Sequence, residues 1–484
     1  MDDIDLLAGI LLATHFTLGF VATVLISANR TPAAAIAWVL LIIFVPVIGA
    51  IVFVLVGFGR LPLARREKQR QVNEKFLAIT PGLTHTGHRA EWPPWLSSAV
   101  RLNSTLGALP MVGGNRAELL DNYDGSIQAM ADAVDTATDY VNVQFYILVL
   151  DSTTQPFFDA LRRATARGVS VRVLSDHVAG FLSPRRRETL AALSGMGAVW
   201  HAMLPLRPLR GQWQRADFRN HRKLVVVDGR IGFTGSQNMI DSSYLKRKNR
   251  SRGLRWIELM VRLEGPAVRE INAVFVTDWF SETEEMLDLD PTPIVLDETE
   301  ELLDMQVVPS GPSFENDNNL KLFALLLHQA RRRISITSPY FVPEASVLLA
   351  IVTAASRGVD VELFVSAVGD QALVYHAQRS YYEVLLRAGV SIYLYRAPAV
   401  LHSKHFSIDD SVAVIGSSNM DIRSFSLNME ISVLVHGENL VGRMRRVEDS
   451  YRANSDRLEL SAWLRRPVRE KVGDNLARLT SSLQ

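Results

Sequence analysis

The sequence predicts an α/β protein built from two copies of one unit, each a mixed sheet flanked by helices. The copies are expected to pack around a pseudo-two-fold axis and to be preceded by a two-helix transmembrane hairpin. Three observations carry this reading. Two uncharged apolar stretches lie within the first 56 residues. A pattern of His, Lys, Asp, Gly, Ser and Asn recurs with identical spacing from residues 221 and 402. Ahead of each pattern, short apolar runs alternate with amphipathic segments. The 484 residues exceed what one compact core organises, and a mean hydropathy of +0.09 is high for a soluble enzyme. With no cysteine, a disulfide framework, a thiol nucleophile and Cys-based zinc sites are excluded. Lys plus Arg (52) nearly balances Asp plus Glu (51), which argues against a chain held to nucleic acid by its overall charge.

The hairpin comes first. Leu6 to Ile26 and Ala33 to Val56 contain no charged side chain, and a helix needs about 20 residues to cross the hydrocarbon core. The break at 27–32 has room only for a turn, with Pro32 suited to opening the second helix. Arg60, Arg65, Arg66, Lys68 and Arg70 follow the second span, whereas the break holds only Arg30, so the chain beyond residue 59 is expected on the cytoplasmic side of the cell membrane. The acidic start Met1-Asp2-Asp3 argues against a cleaved signal peptide. Residues 1–59 carry a net charge of −2 against +1 for the whole chain, so the remainder is mildly basic at +3.

Residues 60–115 read as a linker, with Pro81-Gly82, Pro93-Pro94 and Gly113-Gly114 as breakers, and an acidic, turn-prone joint falls near 282–302. The first repeat is expected over 116–290 and the second, with C-terminal helices, over 291–484. In each, an amphipathic helix ends at Arg-Gly and an alternating strand follows (160–174 and 350–364). A strand, helix, strand, helix, strand succession then leads into a hairpin carrying the motif.

The motif residues have an evident chemistry. His221 and Lys223 are two apart, as are His402 and Lys404; on a strand such pairs share one face. Asn238 and Asn419 follow at matching distances. Two facing copies would supply two imidazoles, two ammonium groups and two carboxamides, a set suited to a phosphodiester. Lysines and asparagines hold the non-bridging oxygens, one imidazole attacks phosphorus, and the other protonates the departing alkoxide. Agreement at six positions makes chance negligible. The adjacent lysines repel cations, and no His/Asp cluster has recognised ligand spacing, so no metal and no other cofactor is expected.

These residues resemble the phospholipase D superfamily with its HxKx4Dx6GSxN motif, and within it the bacterial cardiolipin synthases. The likeness extends to Trp38, residues 44–49, 124–125, 219–223, 265–268, 308–312, 339–343, 379–382 and 419–424. It implies a phosphatidyl-histidine intermediate on His221, with His402 as general acid and then base. It implies phosphate binding by Lys223, Lys404, Asn238 and Asn419, with Ser236 and Ser417 of the same motif beside them. Asp228 and Asp409 are implied as members of the catalytic signature that act from outside the reacting shell and hold the motif in place. Glu258 and Glu430 would orient the imidazoles. At two positions the chain departs from the family pattern: Glu258 stands where Asp is usual, and Gln144 where an acidic residue is.

The implied partners are phosphatidylglycerol and other anionic phospholipids in a lipid bilayer, with no nucleic acid expected and no oligomeric state indicated. Water as acceptor would make a phospholipase D instead. A nuclease of the same superfamily and a catalytically dead anionic-lipid-binding module are the further alternatives. Asn238 to Glu258 spans 20 positions against 11 from Asn419 to Glu430. The additional residues bring Lys246, Arg247, Lys248, Arg250, Arg252 and Arg255, expected to meet anionic headgroups. Leu204–Trp213, mixing apolar and basic residues, is expected to dip into the interface near the site.

Overall fold

The computed structural model describes residues 32–57, 61–79, 89–207, 217–289, 302–314 and 317–479, with isolated positions at the amino terminus and at 215 and 296. It divides into two compact units: residues 1–59 with 213–217, and the rest of the chain.

In the smaller unit, the expected second span is two helices, Pro32–Phe44 and Pro46–Val56. Pro46 has no N–H to donate, and its ring excludes the helical conformation at Val45, which sits at φ −135° and ψ 69°. Trp38 meets Phe53 edge-on at 5.2 Å. Among the described residues no helix is long and apolar enough to cross a membrane. The first expected span, 6–26, lies almost entirely outside the described residues.

The larger unit is organised by one 16-stranded mixed sheet. At its centre Val112–Leu120 runs antiparallel to Leu303–Ser310, with Val112 opposite Met305. Outward from Val112–Leu120 come Met260–Glu264, Ile231–Gly235, Leu224–Val227, Tyr140–Phe145, Ser170–Asp176 and Val199–Met203. Outward from Leu303–Ser310 come Asn428–His436, Val412–Gly416, His405–Ile408, Arg333–Thr337, Asp360–Ser366 and Ser391–Tyr395. The two halves repeat the same order in mirrored sequence, as a pseudo-two-fold axis between the central strands requires. In each half the three strands joined through helices are parallel, since such crossovers return the chain in the same direction.

The crossover helices Gln155–Ala166 and Ala345–Ser356 both stop at Arg-Gly, and Gly168 (φ 89°) and Gly358 (φ 88°) take the left-handed conformation that closes a helix. The long helix Ala267–Thr283 is buried over most of its length. It belongs to an apolar core that contains Val261, Leu263 and Phe275 of the first repeat with Ile431, Val433 and Met444 of the second.

The segment read as a linker contributes to this body. Leu63–Ile79 packs on Ala267–Thr283 through Val72 and Phe76, with ion pairs Arg65–Glu282 and Lys68–Glu284. Leu96–Thr105 packs on Asn318–Gln329, and buried Asn103 donates to Gln306 at 2.8 Å. Its polar composition concealed these helices because each buries only two or three apolar side chains.

Candidate active site

Each HxK triplet forms the link between a short strand and the motif hairpin. Strands begin at Leu224 and His405, immediately after the lysines, so the expectation that His and Lys lie within one strand is corrected. The short strands ahead of the triplets cross between repeats. Arg219–Asn220 pairs with Asn428–Met429, and Ala399–Leu401 pairs with Arg255–Ile257. His221 N donates to Met429 O at 2.9 Å and His402 N to Ile257 O at 2.7 Å.

This exchange decides the carboxylate partners. His221 Nδ1 lies 3.0 Å from Glu430 Oε2, and His402 Nδ1 lies 2.7 Å from Glu258 Oε1. Each histidine is thus oriented by the glutamate of the other repeat. With Nδ1–H held by a carboxylate, Nε2 is the nitrogen left for chemistry. The longer side chain at Glu258 still closes its bond.

Both lysines are buried and fold back onto their own motifs: Lys223 Nζ donates to His221 O at 2.6 Å and Lys404 Nζ to His402 O at 2.7 Å. Burial pushes Lys223 down to about 7, with Lys404 adding to the effect, and pushes Lys404 down to about 8 against the raising charges of Glu258 and Glu430. An anion beside them would favour their charged forms and offset their burial. The His221 imidazole is pushed down to about 4, chiefly by burial; Glu430 opposes this, while Lys223 and Lys404 reinforce it. His402 is lowered too, by burial and Lys404, but Glu258 and Asp370 both favour its proton.

The remaining motif residues divide. Asn238 Nδ2 donates to the Tyr244 hydroxyl at 2.9 Å, and Asn419 keeps a buried Oδ1 without a partner among the described residues. Ser417 Oγ donates to Glu430 Oε2 at 2.5 Å, which makes it a support for the carboxylate; among the described residues Ser236 pairs with the Leu259 backbone. The glycines are set by close approach: a Cβ at Gly235 would lie 2.4 Å from Leu259 O, and one at Gly416 would lie 2.2 Å from Ile431 O. Those carbonyls directly follow Glu258 and Glu430 in the chain.

Asp228 and Asp409 lie outside the reacting shell and hold the motif, as the resemblance implies. Each occupies the hairpin turn with positive φ (48° and 50°) and binds backbone away from the histidines. Asp228 accepts from the N–H groups of Thr138, Asp139 and Tyr140 at 2.8–2.9 Å, and Asp409 from those of Arg331, Arg332 and Arg333. They pin the motif hairpin to the start of the strand it pairs with, Tyr140–Phe145 or Arg333–Thr337. Asp228→Ala is expected to lower unfolding stability by about 2 kcal/mol while leaving turnover per folded molecule within threefold, checked by denaturant titration beside an activity assay.

The acid missing at Gln144 has a local substitute. Arg222, buried, donates to Glu430 O at 2.9 Å and pairs with Asp278 at 2.6 Å, and Gln144 Nε2 donates to that same carboxylate. Asp278 therefore provides the countercharge. Sequence reasoning did not single out Tyr146 and Tyr340, whose rings lie 5.1 Å from His221 and 5.9 Å from His402. By the strand registers they fall one position apart in the two repeats, so comparing the copies does not align them. Residues 208–213 of the expected interfacial loop lie outside the described residues.

Known proteins match this arrangement. The family described as "Cardiolipin synthase, PLD-like domain" matches residues 130–279 and 324–450, one block in each repeat, and "Phospholipase_D-nuclease N-terminal" matches 16–57. Cardiolipin synthase A of Proteus mirabilis (strain HI4320) is 32% identical over 463 residues, covering 94% of each chain. That of Klebsiella pneumoniae subsp. pneumoniae is 31% identical over 464 residues with the same coverage. The crystal structure of phosphatidylserine synthase from Haemophilus influenzae Rd KW20 superposes with a TM-score of 0.57 at 14% identity, covering 79% of this chain and 99% of that one, a likeness of fold. Two HxK motifs exchanged between repeats, matched over most of the chain, identify it as a member of the cardiolipin synthase family of the phospholipase D superfamily.

Proposed function

We propose a division of labour for this phosphatidyltransferase, which makes cardiolipin from phosphatidylglycerol. His221 Nε2 attacks the phosphorus of one phosphatidylglycerol; the bond to the glycerol headgroup breaks, and His402 gives its Nε2 proton to the departing glycerol oxygen. His402 then takes the proton of a headgroup hydroxyl on a second phosphatidylglycerol. That oxygen attacks phosphorus, the phosphorus–nitrogen bond breaks, and cardiolipin leaves with His221 restored.

The observation that carries the assignment is the unequal surroundings of two otherwise matched imidazoles. At His221 burial and two lysines outweigh Glu430 and keep the imidazole neutral, as a nucleophile must be. His402 is lowered by burial as well, but there Asp370 joins Glu258 in favouring the proton an acid must carry. The lysines and the Asn238 and Asn419 carboxamides supply donors for the phosphoryl oxygens.

A bilayer position in the cell membrane is supported by apolar side chains left in the open on Pro32–Phe44 and Pro46–Val56, with Phe44 77% and Val47 70% exposed, and a cytoplasmic larger unit by the basic residues Arg65, Arg66, Lys68 and Arg70 that follow. Lys246, Arg247, Lys248, Arg250, Arg252 and Arg255 are all exposed, which fits contact with anionic headgroups.

Purified full-length protein incubated with phosphatidylglycerol vesicles in EDTA tests this reading. Cardiolipin and glycerol in equal amounts are expected. Phosphatidic acid with glycerol would make water the acceptor, and absence of turnover would leave a lipid-binding module.

A further inference from the structure

The residues that lengthen the first repeat between Asn238 and Glu258 reach the second repeat. Their last strand, Arg255–Ile257, lies parallel to Ala399–Leu401, directly ahead of His402. Inside this segment Tyr244 is buried, and it is held by two consecutive non-glycine residues in the left-handed region, Tyr244 at φ 56° and Leu245 at φ 55°. Such backbone persists only where the surroundings over-determine it. Its ring packs on Trp256 (centroids 4.8 Å) and faces His402 edge-on at 6.4 Å. Its hydroxyl accepts from Asn238 Nδ2 at 2.9 Å and donates to Glu258 Oε1 at 3.4 Å.

The other half of the site is supported differently. Glu430 receives the Ser417 hydroxyl on Oε2 and the Asn428 amide on Oε1 at 3.3 Å. The equivalent of Ser417, Ser236, makes the same backbone pairing, with Leu259 as Ser417 does with Ile431, but among the described residues it has no matching bond to Glu258. Among the described residues, Glu258 Oε2 is buried without a partner, and the hydrogen bonds to Oε1 come from His402 and Tyr244.

We propose that Tyr244 is a positioning residue particular to the His402 half of the site, its phenol joining the phosphate-holding Asn238 and the His402-orienting Glu258 into one hydrogen-bonded chain. The inference rests on the roles given above to Asn238 and His402. The chain runs Asn238, Tyr244, Glu258, His402, so the group that holds phosphate and the group that moves the proton are fixed by one side chain. Besides Glu258, the groups that face His402 are Lys404, Asp370, Tyr340 and Tyr244 itself. Of these, Tyr244 is the one hydrogen-bonded to the orienting carboxylate.

Tyr244→Phe keeps the ring on Trp256 and removes only the hydroxyl. Glu258, without its O–H donor, holds the His402 proton more strongly. Glycerol release from phosphatidylglycerol vesicles near neutrality is expected to fall about 10-fold, and the alkaline limb of the kcat profile is expected to move up by about half a pH unit or more. Ser417→Ala, which removes the matching donor from Glu430, should leave that limb in place. A lower rate with the limb unmoved would reduce Tyr244 to packing, and an unchanged rate would remove its role; either overturns the proposal.

Glycerol release is common to lipid and water as acceptors, so phosphatidic acid in place of cardiolipin would count against the functional reading without touching the test of Tyr244. In lipid-free protein, the His402 imidazole titration followed by nitrogen-15 NMR should show the same upward displacement in Tyr244→Phe. This holds even for a chain without turnover, and an unmoved His402 titration there would equally overturn the proposal.

Discussion

His221→Ala is expected to lower glycerol release from phosphatidylglycerol by about 10⁴-fold or more, because without the attacking imidazole the covalent route is closed. His402→Ala is expected to cost about 10² to 10⁴-fold, the range for one positioned acid–base group. The double variant should be no slower than His221→Ala by more than about threefold, since the two groups act as a unit. Both side chains are nearly buried and packed beside Tyr146 and Tyr340. Circular dichroism and thermal unfolding of each variant therefore accompany the rates, so that a folding defect is not read as lost chemistry. Multiplicative losses in the double variant would mean that the histidines act in separate reactions.

The carboxylates give the second large effect, and its pattern is set by the exchange between repeats. Glu430→Gln should disable His221, and Glu258→Gln should disable His402, each by about 10²-fold or more, as loss of an orienting carboxylate does elsewhere. The rates alone do not separate the two, but the covalent state does. Glu430→Gln should form little phosphohistidine, like His221→Ala. Glu258→Gln should form it slowly and then retain it, because His402 is needed to activate the acceptor. The opposite pattern would mean that each glutamate serves its own repeat, against the 3.0 Å and 2.7 Å contacts that cross between them.

Much of this site was legible in the sequence because its chemistry is local. His221-Arg222-Lys223 and His402-Ser403-Lys404 announce themselves by spacing, and the Arg-Gly helix ends at 167–168 and 357–358 marked the repeat boundaries of strand and helix. The assignment of Glu430 to His221 and Glu258 to His402 was not legible. It follows from Val112–Leu120 and Leu303–Ser310 pairing at the pseudo-two-fold axis, a contact between strands almost 200 residues apart. Spacing within a repeat carries no information about it. The holding role of Asp228 and Asp409 was legible as well, but the backbone N–H groups they grip, at the strand entry, follow from their positive φ in the turn.

Two further gaps have equally specific causes. The break at Val45–Pro46 was written in the sequence, but a hydropathy window averages over a single proline. Leu63–Ile79 reads as linker in the sequence because its buried face consists of little more than Val72 and Phe76, too few to set a helical period against so many charges. Tyr244 stands in the sequence among basic residues that mark a solvated loop. Only the neighbouring Asn238 and Glu258 show why a phenol belongs there.

The central claim is that two matched histidines divide nucleophilic and acid–base work. Phosphatidylglycerol labelled with phosphorus-32, mixed with wild-type and His402→Ala protein, quenched in alkali and digested, tests it most directly. The account predicts an acid-labile label on the peptide containing His221, more abundant in His402→Ala and absent from His221→Ala. Label on the peptide containing His402, or no covalent label in any of the three proteins, would contradict it.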